Sequence, residues 1–284
     1  MVAGGRQRVR RMRRLHPPVR PGGDGEEGGS NVESKIQPIL LLADSQLLFW
    51  RHEGDLFLSR IREMLDRDQP RAAYVGASNG DQPEFYMLFQ GAMEGAGIDV
   101  CRMIPSEPEA EDLDFLASAD LILLAGGDPW RGWQVMQQNG LLEKVVERYY
   151  AGALLIGVSA GAAQLGLYGL KERDGKPVGK FEAFKLVPYL IDVHDEPEWP
   201  RMHLALGKIQ ESLRGLGIPT GGGALVHPDL TVEPLRHPLT EFHLDDEGEV
   251  VQALLFPTGE GEVAVVDEDA DENRRGPLIP EIVH

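Results

Sequence analysis

The 284-residue sequence predicts an α/β fold: a mostly parallel sheet with helices on both faces, followed by short strands or a hairpin towards the C-terminus. Three observations carry this expectation. Strand-sized apolar runs such as ILLL and LILL are continuous rather than alternating, as in strands buried on both faces. They alternate regularly with segments of helical length. Several run out into glycine or small polar residues, where a strand hands over to a helix.

In order, IQPILLLAD reads as the first buried strand and residues 55–65 as a helix. RAAYVGAS is the next strand, and NGDQPEFYMLFQGAMEGAG is a turn followed by a helix that Pro83 opens. DVCRMIP is a strand, PEAEDLDFLAS a short helix, and ADLILLAGGD a strand ending in glycines. WQVMQQNGLLEKVVERYYAG is helical with a break near Gly140, and ALLIGVS is the fifth strand. A strand within FEAFKLVPYLIDVHD and a helix over EWPRMHLALGKIQESLRGLG, with Pro200 near its first turn, follow. IPTGGGALVHPD, TVEPLR, EFHL, EVVQALLF and GEVAVVDED then read as short strands and turns. The chain divides into a basic, then Gly/Pro-rich tail over 1–35, a single domain over 36–267 and a loose tail over 268–284.

The net charge is −18, unevenly placed. Residues 1–20 hold seven arginines and no acid, leaving 21 basic against 46 acidic residues beyond them. That field repels nucleic acid, so no nucleic-acid partner is expected. No apolar run reaches 18 residues, so no membrane partner is expected, and no apolar segment follows the arginines to make a secretory signal. Cys101 is the one cysteine, which excludes an internal disulfide and suits a reducing, cytoplasmic setting. A homodimer is the base-rate expectation.

Gly157-Val158-Ser159-Ala160-Gly161 fits G-x-S-x-G at the end of an apolar strand. A tight strand-to-helix turn lifts the serine oxygen clear of the sheet, and the small neighbours let helix and strand approach. The Ala160 N–H is then a donor for a developing oxyanion, and Gly126 or Gly127 supplies a second from a neighbouring strand end. Among eight histidines, His194 is the candidate base, at the end of YLIDVHD. Asp192, two residues earlier, shares its face if the strand persists, with Glu172, Asp195 and Glu196 as rivals for orienting it. Asp192, His194, Asp195, Glu196 and Glu198 cluster but lack helical metal-ligand spacing, so no metal is expected, and hydrolysis by a serine implies no cofactor. Arg131, Lys185 and Arg201 are candidate cations for a substrate carboxylate, and Trp130 a candidate pocket wall.

The segments LILLAGGD, ALLIGVSAGAAQLG, LVPYLIDVHDEPEWPRMHLAL and GLGIPTGGGALV, in this order, resemble the cyanophycinase and aspartyl dipeptidase family, the S51 serine peptidases. The resemblance implies a fold like that of class I glutamine amidotransferases. It places the nucleophile on Ser159, the histidine on His194 and oxyanion contacts on Gly126 and Gly127. It implies a cytoplasmic hydrolase that acts on a small peptide or isopeptide containing aspartate. The chain departs from the family at four places, one being DVHDEPEWPRMHL, which keeps only Arg201 of the closely spaced arginines that follow the family's D-Q-H-F and has acids around it. Pro129 replaces the glutamine of GG[DN]Q, the acidic turn D-E-G-T-A-L becomes Pro219 to Leu225, and N-D-M-P is missing after the serine. An esterase on the same turn, and an inactive binding protein that kept the fold, are the alternatives.

Overall fold

The computed structural model describes residues 36–52, 54–173, 176–208, 213–245 and 247–257. The tails expected over 1–35 and 268–284, and the strand expected at GEVAVVDED, lie outside them. The elements in chain order begin with β1 (Ile39–Leu42), a 3-10 turn (Ser45–Phe49), β2 (Arg51–His52), β3 (Asp55–Leu56) and α1 (Phe57–Glu63). They continue with β4 (Arg71–Val75), α2 (Pro83–Gly95), β5 (Val100–Ile104), α3 (Ala110–Ala117), β6 (Leu121–Leu124), α4 (Pro129–Gln138) and α5 (Leu141–Tyr150). Then come β7 (Leu154–Val158), α6 (Ala160–Leu165), β8 (Tyr168–Arg173), β9 (Lys176–Glu182), β10 (Leu190–Val193) and α7 (Pro200–Lys208). The last are β11 (Gly215–Ile218), β12 (Gly223–Val226), β13 (Val232–Leu235), β14 (Leu239–Leu244) and β15 (Val250–Leu255).

The central sheet has the order β13-β12-β1-β7-β6-β4-β5. Its five strands from β1 to β5 are mutually parallel, and β12 and β13 add an antiparallel edge. The continuous apolar runs have the expected cause. Leu41, Val75, Leu124 and Leu155 face one layer, with Leu116, Trp133, Met136 and Val145 of α3 to α5. Leu40, Tyr74, Leu123 and Ile156 face the other, with Phe57, Ile61, Phe89 and Met93 of α1 and α2. Every second residue therefore meets a different helix layer, and none faces water.

Four features differ from the sequence reading. The helix expected over 55–65 is shorter, because Asp55 and Leu56 pair with His52 and Arg51 in a small ribbon. The hairpin of β8 and β9 was not anticipated, because YGLKER and KPVGKFE contain no apolar run. The helix expected to run to Gly217 ends sooner, since Gly215 to Ile218 form β11, while the expected short strands, with β14 and β15 as a hairpin, divide between two sheets. β10, β11, β14 and β15 form a second, four-stranded sheet, with its own core of Leu190, Trp199, Met202, Leu206 and Phe242 beneath α7. Among the described residues, no helix is long and apolar enough to cross a membrane.

Candidate active site

The site lies beyond the carboxyl ends of β1, β4, β6 and β7, the edge where open parallel sheets bind ligands. Ser159 ends β7 at φ 50°, ψ −106°, a left-handed conformation that costs about 1–3 kcal/mol for a residue with a Cβ. Its N–H donates to the Leu42 carbonyl at 2.8 Å, which ties the turn to β1. Gly161 allows α6 to leave at once, since a Cβ there would collide with the Leu124 carbonyl of β6. α6 has only six residues, so the useful donor is the Ala160 N–H itself rather than a long helix dipole.

Gly126 and Gly127 follow β6. A Cβ built on Gly126 would touch the Ser159 Cβ at 3.4 Å, so this backbone lies directly against the serine. Gly127 takes φ +130° and packs on the Ser78 carbonyl, which leaves no room for a side chain. Among the described residues, the N–H groups of Gly127 and Ala160 make no hydrogen bond. Such groups are available to an incoming oxygen.

His194 comes from the second sheet. Its N–H donates to Ile218 of β11 at 3.0 Å, and its backbone then turns to φ 45°. This turn brings the imidazole Nε2 to 3.0 Å from the Ser159 Oγ. If the serine donates in this contact, Nε2 holds the lone pair and Nδ1 the proton.

The same turn separates His194 from Asp192. Strand geometry stops at Val193, so the expected shared face does not persist. Asp192 is buried and pairs instead with Arg201 Nη2 at 2.9 Å, while its Oδ1 accepts the Val193 N–H. Arg201 also meets Asp195 and Glu172, each at 3.4 Å, and donates to the Val193 carbonyl at 2.7 Å. Three acids thus surround one arginine. Burial first, then Asp195 and Glu172, push the Asp192 carboxyl up to about 7 against the pull of Arg201 and the Val193 N–H.

Glu196, two residues after His194, is an acid whose carboxyl the His194 ring helps to hold down. Its Oε1 accepts the Thr220 N–H at 3.0 Å, in the loop after β11. Partial burial alone would raise this carboxyl, but the Thr220 hydrogen bonds and the His194 ring bring it below the ordinary value. Asp44 anchors the same loop, accepting the Gly221 N–H at 2.7 Å.

The substrate-binding expectations divide. Arg201 is consumed by its acids, and 19 % of its side chain is exposed. Lys185 pairs with Glu182 at 3.3 Å and lines a different cavity, beside Ile36, Tyr149 and His227. Trp130 packs on Phe181 with 5.1 Å between ring centroids, under the Lys171 ammonium at 3.6 Å, and does not line the cavity at Ser159. Arg131 is exposed, lies against Gly80 after β4, and has no acidic partner among the described residues. The sequence reading missed the cavity walls. Leu48, Tyr74, Phe85, Leu88 and Phe89 form a hollow of about 240 Å³ that opens on Ser159 and His194. The signal was FYMLF, which has more apolar residues than one buried helix face needs.

A family model described as Peptidase family S51 matches residues 39–221, from β1 to the loop after β11. The chain belongs to peptidase family S51. Among curated relatives, Peptidase E of Streptomyces coelicolor is 28 % identical over 127 residues, covering 44 % of this chain and 51 % of that protein. Peptidase E of Salmonella newport is 31 % identical over 97 residues, covering 33 % and 42 %. The chain thus spans about half the length of the curated relatives it matches. A crystal structure of a peptidase from an acI-B1 Actinobacterium superposes with TM-score 0.59 at 15 % identity, over 82 % of this chain and 98 % of that one. A putative Peptidase E protein from Listeria monocytogenes superposes with TM-score 0.53 at 19 % identity, over 71 % and 99 %. At these identities the likeness is one of fold alone.

Proposed function

We propose that this protein is a serine peptidase that hydrolyses an amide bond through an acyl-enzyme on Ser159. The observation that carries the reading is the 3.0 Å contact between Ser159 Oγ and His194 Nε2 at the mouth of a cavity. Ser159 Oγ attacks the carbonyl carbon while His194 Nε2 takes its proton and passes it to the leaving nitrogen. The oxyanion is held by the N–H groups of Ala160 and Gly127. Loss of one such donor costs roughly 3 kcal/mol in the transition state. Water then attacks the ester, its proton goes to His194 and on to Ser159 Oγ, and the acid leaves. Glu196 positions the imidazole and offsets the charge it gains.

A peptide containing aspartate, which the family resemblance implies, brings a carboxylate that needs a cation. Arg131 is the expected cation left without an acidic partner, and it stands at this sheet edge. The test is a panel of β-Asp-Arg polymer, α-aspartyl dipeptides, isoaspartyl dipeptides, peptides with phenylalanine or leucine before an aspartate, and a plain ester. It is run with wild type, Ser159→Ala and His194→Ala, beside fluorophosphonate labelling. Labelling of Ser159 with amide turnover that both variants abolish is the expected result. Ester turnover alone would reassign the protein to esterases. A folded protein that neither labels nor turns over would be a binding protein.

A further inference from the structure

The hollow beside Ser159 has mostly apolar walls, with Asp44, Ser45 and Asn79 as its polar lining besides Ser159 and His194. Tyr74 of β4, Leu123 of β6, Leu48 of the 3-10 turn, and Phe85, Leu88 and Phe89 of α2 enclose it. Among the described residues, no lysine or arginine lines it. Its one acid is Asp44, whose carboxylate is already fixed by the Gln46 and Gly221 N–H groups at 2.8 and 2.7 Å. Phe85 and Leu88 are 47 % and 44 % exposed, in a helix whose Phe89 and Met93 already fill the core. A solvent-facing aromatic and leucine beside a reactive serine are the usual lining of a site for an apolar group.

Topology decides which part of a substrate enters. The leaving nitrogen must lie at His194, which protonates it. His194 is tied to Ile218, and the loop beyond Ile218 is anchored on Asp44 after β1. Tyr74 of β4 and the start of α2 wall the hollow on one side, and Asp44, Ser45 and Leu48, which follow β1, wall it on the other. The hollow also borders Ser159, Gly126 and Gly127, where the attacked carbonyl must sit, so the side chain beside that carbonyl is the part of the substrate that reaches it.

Building on the serine-peptidase reading, we propose that this hollow binds a large apolar side chain, aromatic or branched aliphatic, on the residue whose carbonyl Ser159 attacks. An aspartate side chain there would lose its water, meet no cation and face Asp44. A substrate carboxylate is accommodated only outside the hollow, at Arg131. At about 240 Å³ the space lies below the ~300–1,000 Å³ of pockets for drug-sized ligands, which suits one side chain.

Boronic acids that form a tetrahedral adduct on serine test this, ranked by their protection of Ser159 from a fluorophosphonate. Phenethyl- and isobutyl-boronic acid should protect at least about tenfold better than methylboronic acid, and carboxyethyl-boronic acid should be the weakest. Leu88→Arg should reverse the order of the phenethyl and carboxyethyl compounds. Equal protection by all four, or a preference for carboxyethyl in the wild type, would overturn the proposal. A second measurement does not depend on serine chemistry. In Ser159→Ala with ¹³C-labelled leucine, N-acetyl-phenylalaninamide should shift the Leu48 and Leu88 methyl signals, and the N-acetyl-aspartate amide should not. Shifts with the phenylalanine compound in a protein that no fluorophosphonate labels would retain the apolar pocket and refute only the hydrolase reading. No shifts with it would refute the pocket.

Discussion

Replacing Asp192 by asparagine separates an acid that serves His194 from one that serves only Arg201. The carboxyl rises from 3.8 to about 7, chiefly through burial. That is a difference of roughly 3 pH units, or up to about 4 kcal/mol at ~1.36 kcal/mol per unit. Between these values the folded chain holds a proton that the unfolded chain has released. The stabilisation is therefore complete below about pH 4 and is lost as pH rises through about 7. Asparagine does not titrate, so the variant should lack this fall. Urea unfolding followed by tryptophan fluorescence at pH 5, 6, 7 and 8 reads it directly. The wild type should lose stability relative to Asp192→Asn at each step, and the variant should match or exceed it at pH 8. Because Asp192 does not touch His194, kcat should fall far less than the ~10⁴-fold loss that follows removal of a triad carboxylate's charge. Parallel pH–stability curves for the two proteins would refute the titration of Asp192. A triad-sized loss of kcat in folded Asp192→Asn would refute its separation from catalysis.

Three further outcomes follow from the same geometry. Glu196→Gln should lower kcat about 10- to 100-fold with little change in KM, within the usual range for support of a general base, and should move the acidic limb of the kcat/KM profile to lower pH. An unchanged profile would remove Glu196 from the site. Gly161→Ala forces a Cβ onto the Leu124 carbonyl and should cost at least about 1–3 kcal/mol in urea unfolding, together with loss of Ser159 labelling. A midpoint equal to wild type would contradict the close approach of α6. Arg131→Met should raise KM for carboxylate-bearing peptides while leaving that for a neutral ester unchanged, and an equal effect on both would assign Arg131 to the fold rather than the substrate.

Much of the architecture was legible because it follows from local pattern. Continuous apolar runs of four or five residues separated by helical segments leave few arrangements other than a covered parallel sheet. The G-x-S-x-G turn was legible for a similar reason: only small residues fit where α6 meets β6. His194 was legible as a strand-end histidine with acids nearby, but spacing did not choose between Asp192 and its rivals Glu172, Asp195 and Glu196. Period-two reasoning placed Asp192 on its face, and that reasoning fails once the backbone turns to φ 45°. The polar hairpin of β8 and β9 left no hydrophobic trace.

The remaining features depend on which distant elements meet. Ser159 and His194 are 35 residues apart and belong to different sheets, so their contact exists only because the second sheet packs at the carboxyl edge of the first. Three acids compete for Arg201, and neither their buried proton nor the removal of Arg201 from substrate binding can be read from spacing. The apolar hollow is assembled from β4, β6, α2 and the turn after β1, elements drawn together by sheet order rather than by proximity along the chain. Local sequence specifies the reactive turn, because its steric demands are met by adjacent residues. Long-range packing selects the base's partner and the substrate's surroundings, because burial and charge neutralisation are properties of the assembled fold.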